Sequence, residues 1–81
     1  MYSLEISGLA KKFLKKLQES DAEIILNKLY SIREDPFHYL KKLQGSKLWR
    51  LRVLKYRIVV DVVVSGKRII VLRIGLRKNV Y

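Results

Sequence analysis

The sequence predicts an α+β domain: a two-helix hairpin packed on one face of a mostly antiparallel sheet, in the order β-α-α-β-β-β. Three observations carry that prediction. Apolar residues recur at helical spacing between Leu9 and Ile32, and they alternate at strand spacing between Leu48 and Ile74. Gly8, Pro36, Gly45, Gly66 and Gly75 punctuate the chain between and within those regimes. The 81 residues make one small domain, residues 1–81, with no internal repeat or linker.

The elements follow in order. Residues 2–6 alternate and form a short first strand, ended by Ser7-Gly8. In the helix expected over 9–20, Leu9, Ala10, Phe13, Leu14 and Leu17 fall on one stripe, with Lys11, Lys12, Lys15 and Lys16 on the solvated side. Ser20-Asp21-Ala22-Glu23 has the form of a capping box and predicts the start of a second helix, with Ala22, Ile25, Leu29 and Ile32 inward. Asp35-Pro36 ends that helix, and residues 37–43 add at most a further helical turn. Three strands then fill residues 48–54, 56–64 and 67–74. Leu54-Lys55 is a two-residue turn, and Ser65-Gly66 is a tight turn in which glycine takes positive φ. Gly75 reads as a break before a closing segment at 76–81.

Charge is distributed unevenly. Residues 1–40 hold six Lys/Arg and six Asp/Glu, whereas residues 41–81 hold twelve Lys/Arg and only Asp61, so the second half carries the whole net charge of +11. That is the footprint of a partner for a polyanion. The arginines alternate with apolar residues, which assigns them a face. Trp49, Leu51, Val53, Tyr56, Ile58, Val60, Val62, Ile69 and Val71 share the core side, with Val60 opposite Val71 and Val59 opposite Leu72. The other side carries Arg50, Arg52, Arg57, Asp61 and Arg68 amid Val59, Val63, Ile70 and Leu72. Arg52 directly across from Arg57 is unfavourable for a sheet, whereas the guanidinium fork suits bidentate phosphate binding. The apolar residues of that side predict a bare patch and hence a protein partner.

Composition excludes several chemistries. With no cysteine and one histidine, His38, neither a disulfide nor a Cys/His zinc site is possible. There is no glycine-rich phosphate loop and no serine nucleophile motif. No apolar run approaches a membrane span, and Met1 to Ile6 has no secretory leader, so the expected compartment is the cytoplasm with no membrane contact.

The stretch Leu43-Gln44-Gly45-Ser46-Lys47-Leu48-Trp49-Arg50-Leu51-Arg52, then Tyr56-Arg57-Ile58-Val59-Val60, then Ile74-Gly75-Leu76-Arg77-Lys78-Asn79-Val80-Tyr81, resembles the RelE toxins of the RelE/ParE superfamily. The resemblance covers nearly the whole chain; the last block is the part most particular to the RelE branch. It implies the toxin of a toxin–antitoxin pair, a metal-independent and ribosome-dependent endoribonuclease that needs no cofactor. Such a toxin cuts mRNA in the 30S A site by attack of the 2′-OH on the adjacent phosphate. A RelB-like antitoxin would hold it inactive in a hetero-oligomer.

By the same resemblance Arg57 and Arg77 would stabilise charge on the transferring phosphate, and Tyr81 would stack on a base or move a proton. Arg50, Arg52, Lys47, Arg68 and Lys78 would bind RNA. Arg50 and Arg52 stand where relatives commonly carry lysine, and an arginine stays protonated, so neither serves as general base. Tyr81, a water molecule and a ribosomal group all remain open for that role. Two other readings stand beside this one: a non-enzymatic ParE-like toxin that blocks a target such as gyrase, and a plain RNA-binding module.

Overall fold

The computed structural model describes residues 1–77. Its elements run β1 (Ser3–Ile6), α1 (Gly8–Lys16), α2 (Glu19–Ser31), α3 (Pro36–Tyr39), β2 (Lys41–Lys42), β3 (Trp49–Val53), β4 (Tyr56–Val63) and β5 (Arg68–Leu76). The strands form one sheet in the order β1-β5-β4-β3-β2, with β1 parallel to β5 and the other pairings antiparallel. The predicted α+β architecture is therefore present. A two-residue strand, β2, is added where only a helical turn was expected.

The helical side buries most of the stripe that the spacing assigned to it; Leu9, at the start of α1, is instead 64% exposed. Ala10, Ile25, Leu29 and Ile32 are fully buried against Ile58, Val60, Ile69 and Val71 of the sheet. At about 25 cal/mol per Å² of apolar surface, a side chain of this size contributes roughly 1.5–3 kcal/mol when fully buried. Phe13 of α1 meets the Tyr56 ring edge-on at 5.9 Å. Phe37 of α3, itself largely exposed, packs on Trp49 at 5.0 Å.

The start of the second helix differs from expectation. α2 starts at Glu19, so Ser20 lies inside its first turn and the proposed capping box does not form. The Asp21 carboxylate instead accepts a hydrogen bond from the Tyr56 hydroxyl at 2.9 Å, tying α2 to the start of β4. The side-chain cap is at α1, where the Ser7 hydroxyl accepts from the Ala10 N–H at 3.1 Å. The same hydroxyl donates to the Leu72 carbonyl at 2.7 Å, and the Ser7 N–H donates to the Val71 carbonyl at 2.9 Å.

The turns set the register. Leu54-Lys55 does form the two-residue turn, with Leu54 in the left-handed region at φ 55, and it holds Val53 opposite Tyr56 and Arg52 opposite Arg57. The next loop spans residues 64–67, closed by the Lys67 N–H on the Val64 carbonyl at 3.2 Å. Its left-handed residue is Lys67, φ 50, and not Gly66. Val60 pairs with Val71 as the alternation predicts, but Val59 pairs with Arg73, because a bulge at Val59/Val60 leaves Leu72 as the extra residue of β5. Gly75 does not break the strand: β5 continues to Leu76, with Gly75 opposite Arg57.

Candidate nucleic-acid interface

The bulge decides the composition of the outward face. In an unbroken ladder Arg73 would point into the core and Ile74 to solvent. With Leu72 accommodated, Arg73 is exposed and Ile74 is 6% exposed within the core. One transverse row of the outward face then reads Lys41, Arg50, Val59, Arg73 across β2, β3, β4 and β5. The next row toward the Leu54-Lys55 turn reads Arg52, Arg57, Gly75. Arg73 was missed because period-two alternation assumes no extra residue.

These rows gather the cations. Arg57 is half-buried, with its Nε shielded from solvent, while Arg52 across from it is exposed. Gly75, opposite Arg57 on β5, contributes no side chain of its own to this row. Beyond Leu76 the Arg77 N–H donates to the Lys55 carbonyl at 3.1 Å, pinning Arg77 beside the β3–β4 turn. A cleft of about 600 Å³ results, lined by Lys55, Arg57, Leu76 and Arg77. Charges held at fixed positions around a concavity stabilise negative charge without reorganising, which a flexible basic tail cannot do.

Of the residues singled out in the sequence, Arg57 and Arg77 line this cleft, while Arg52 stands opposite Arg57 and Arg50 lies in the adjoining row of the same face. Arg68 lies away from it. It stands at the far end of β4 and β5, opposite Val63, six residues along β4 from Arg57, a separation of about 20 Å at strand rise. There its Nε and Nη2 both donate to the Glu5 carboxylate of β1, the second at 3.0 Å. That hydrogen bond holds the Glu5 carboxyl below the usual glutamate range. The parallel β1–β5 pairing brings Glu5 beside Arg68, a contact that alternation within the second half does not reveal. Lys47 lies in the exposed loop before β3. Lys78 and Tyr81 lie outside the described residues.

The predicted bare apolar patch is largely covered. Val59 is only 4% exposed, flanked by Arg50 and Arg73, whose stems are long enough to shield it. Val63, Ile70 and Leu72 are half-buried. Asp61 pairs with Ile70 across the strands, toward the end of the sheet that carries Arg68. His38 is exposed in α3, edge-on to Tyr39 at 4.9 Å. Among the described residues no group of three or more His, Cys, Asp or Glu gathers as a metal site. No described helix is long and apolar enough to cross a membrane.

Comparison with known proteins places this geometry in a family. The model of the ParE toxin of type II toxin–antitoxin systems matches residues 4–81. A search of curated proteins finds no significant match. Among solved structures, the Escherichia coli RelBE toxin–antitoxin complex matches at 25% identity and TM-score 0.80, over 94% of this chain and 96% of that one. The RelE–RelB complex of Pyrococcus horikoshii matches at 24% identity and TM-score 0.83, over 96% and 97%. The Mycobacterium tuberculosis RelBE2 complex matches at 18% identity and TM-score 0.87, over 94% and 98%. The chain belongs to the ParE toxin family, within the RelE/ParE superfamily, and shares the RelE fold.

Proposed function

We propose that this chain is the toxin of a toxin–antitoxin pair and acts as a ribosome-dependent endoribonuclease on mRNA in the A site. The observation that supports this reading is the gathering of Lys55, Arg57 and Arg77 around one cleft, with Arg52 directly across from Arg57 on the same face. In the proposed reaction the 2′-oxygen attacks the adjacent phosphorus, and the bond from phosphorus to the 5′-oxygen breaks. A 2′,3′-cyclic phosphate forms, and the leaving oxygen takes up a proton. Arg57 and Arg77 neutralise the extra charge on the five-coordinate phosphorus, while Arg50, Arg52 and Arg73 hold the flanking backbone. All of these are permanent cations, so the base is another group, with Tyr81 the candidate within this chain.

The reading includes a cytoplasmic site of action and an antitoxin partner that covers the cationic face. The latter is supported by RelB-bound toxins among the fold relatives. The test is cleavage of mRNA on translating ribosomes, followed by primer extension. Arg57→Ala and Arg77→Ala should each slow cleavage by roughly 10²–10³-fold, the usual loss for one charge-stabilising donor, without unfolding the domain. Undiminished cleavage by the double variant ends the enzyme reading. The family model's ParE description favours a second reading, in which the same face blocks a target such as gyrase without chemistry. Inhibition of DNA supercoiling by a chain that leaves ribosome-bound mRNA intact would select it.

A further inference from the structure

A second cationic concavity opens at the β3 edge of the sheet. It has a volume of about 260 Å³ and is lined by Lys28 of α2, Tyr39 of α3, Lys41 of β2 and Arg50, Leu51 and Arg52 of β3. It exists because β2 is so short. β2 pairs only with Trp49 and Arg50, so among the described residues β3 has no neighbouring strand there from Leu51 onward. Four cationic side chains surround this one small volume, and among the described residues no acid lines it. Placing them together is unfavourable for folding on its own, and an anion reverses the sign. Lys28 Nζ lies 4.8 Å from the centroid of the Tyr39 ring, which stations the ammonium at the pocket wall.

The geometry points to a second phosphate subsite in this pocket, one that anchors the same single strand of RNA whose scissile linkage occupies the Arg57/Arg77 cleft. This inference rests on the proposed function. Register gives its direction: Arg52 lines the pocket and stands directly opposite Arg57, which lines the cleft. A strand of RNA crossing the sheet from β5 to β2 passes the cleft, the Arg52/Arg57 pair and the pocket in turn. Three strand spacings separate the ends of that path, about 14 Å, so two phosphates of one short segment span it. Lys28, Lys41 and Tyr39 are binding residues here and take no part in bond breaking.

The experiment compares Lys28→Ala/Lys41→Ala with Arg57→Ala and the unmodified chain. Binding of a labelled single-stranded octanucleotide is measured by anisotropy over a range of salt, and cleavage is followed on ribosomes. The lysine variant should bind the octanucleotide roughly tenfold more weakly. Its log–log salt slope should fall in magnitude by about 0.7, the value for one phosphate contact on a single strand. Cleavage should need a higher toxin concentration for half-maximal rate and keep its rate at saturation. Should the alanine variant misfold, Lys28→Gln/Lys41→Gln keeps the stems and answers the same question. Unchanged binding and slope in the lysine variant, alongside a loss in Arg57→Ala, overturns the subsite and leaves the proposed function standing. Unchanged binding in both variants, together with undiminished cleavage by Arg57→Ala, overturns the two together. Weakened capture of an acidic antitoxin with RNA binding intact also overturns the subsite, and marks the pocket as a protein contact.

Discussion

Removing the Ser7 hydroxyl tests how the fold holds the site. That one oxygen accepts from the Ala10 N–H at the start of α1 and donates to the carbonyl of Leu72, the extra residue of the β5 bulge. Ser7→Ala therefore removes a helix cap, about 1 kcal/mol, and leaves a partly buried carbonyl short of a donor, about another 1 kcal/mol. The expected loss of about 2 kcal/mol is a large share of the roughly 4–12 kcal/mol a domain of this length holds. It should lower Tm by about 8–16 °C. Two further variants separate the halves. Ser7→Thr keeps donor and acceptor and should stay within about 0.5 kcal/mol of the parent, as an uneventful substitution does. Ser7→Asp can still cap the helix and even gains from the helix dipole, but it cannot donate to Leu72. Thermal melts give the totals, and amide exchange along β5 locates the effect. Faster exchange around Leu72 and Arg73 is expected in Ser7→Ala and Ser7→Asp, with α1 loosened only in the first. A melt for Ser7→Ala within about 0.5 kcal/mol of the parent, or unaltered β5 exchange in Ser7→Asp, refutes the idea that this hydroxyl anchors the bulge.

Two titratable contacts make further predictions. Arg68 lowers the Glu5 pKa, chiefly through its hydrogen bond, so the stability from this pair is complete above the ordinary glutamate pKa and is lost as pH falls through the lowered one. Glu5→Gln should consequently narrow the difference in Tm between neutral and strongly acidic solution; an identical pH profile would contradict the pairing. Burial, aided by the hydrogen bond to Asp21, raises the Tyr56 pKa. Its contribution is complete below the ordinary tyrosine pKa and is lost as pH rises through the raised one. Of the five tyrosines, one phenolate should form late in an alkaline absorbance titration, and Tyr56→Phe should abolish that component. Persistence of the late step in that variant would assign it elsewhere.

How far the site was legible depends on the range of the interactions involved. Arg52 opposite Arg57 follows from a two-residue turn and strict alternation, both written within nine consecutive residues, and the structure has that pair. The core face was readable for the same reason: Leu51, Ile58, Val60, Ile69 and Val71 need only their parity. The ion pair of Arg68 was not legible because its partner, Glu5, comes from a strand 63 positions earlier. The expected cap at Ser20 did not form, and Asp21 of the same segment is bonded to Tyr56 on β4.

The sequence alone determined the order of the main elements, the inner and outer faces of β3, of β4 and of β5 up to Val71, and the crowding of positive charge on the second half. Each of these is a local property, readable from spacing and composition. The tertiary structure decided the bulge at Leu72, and with it the outward turn of Arg73, the placement of Gly75 opposite Arg57 and the pinning of Arg77 beside Lys55. An extra residue in a strand leaves backbone groups unpaired in the ladder, and where these are shielded from water another part of the chain satisfies them. Here that is a serine hydroxyl 65 positions away, which no spacing rule within the strand can anticipate.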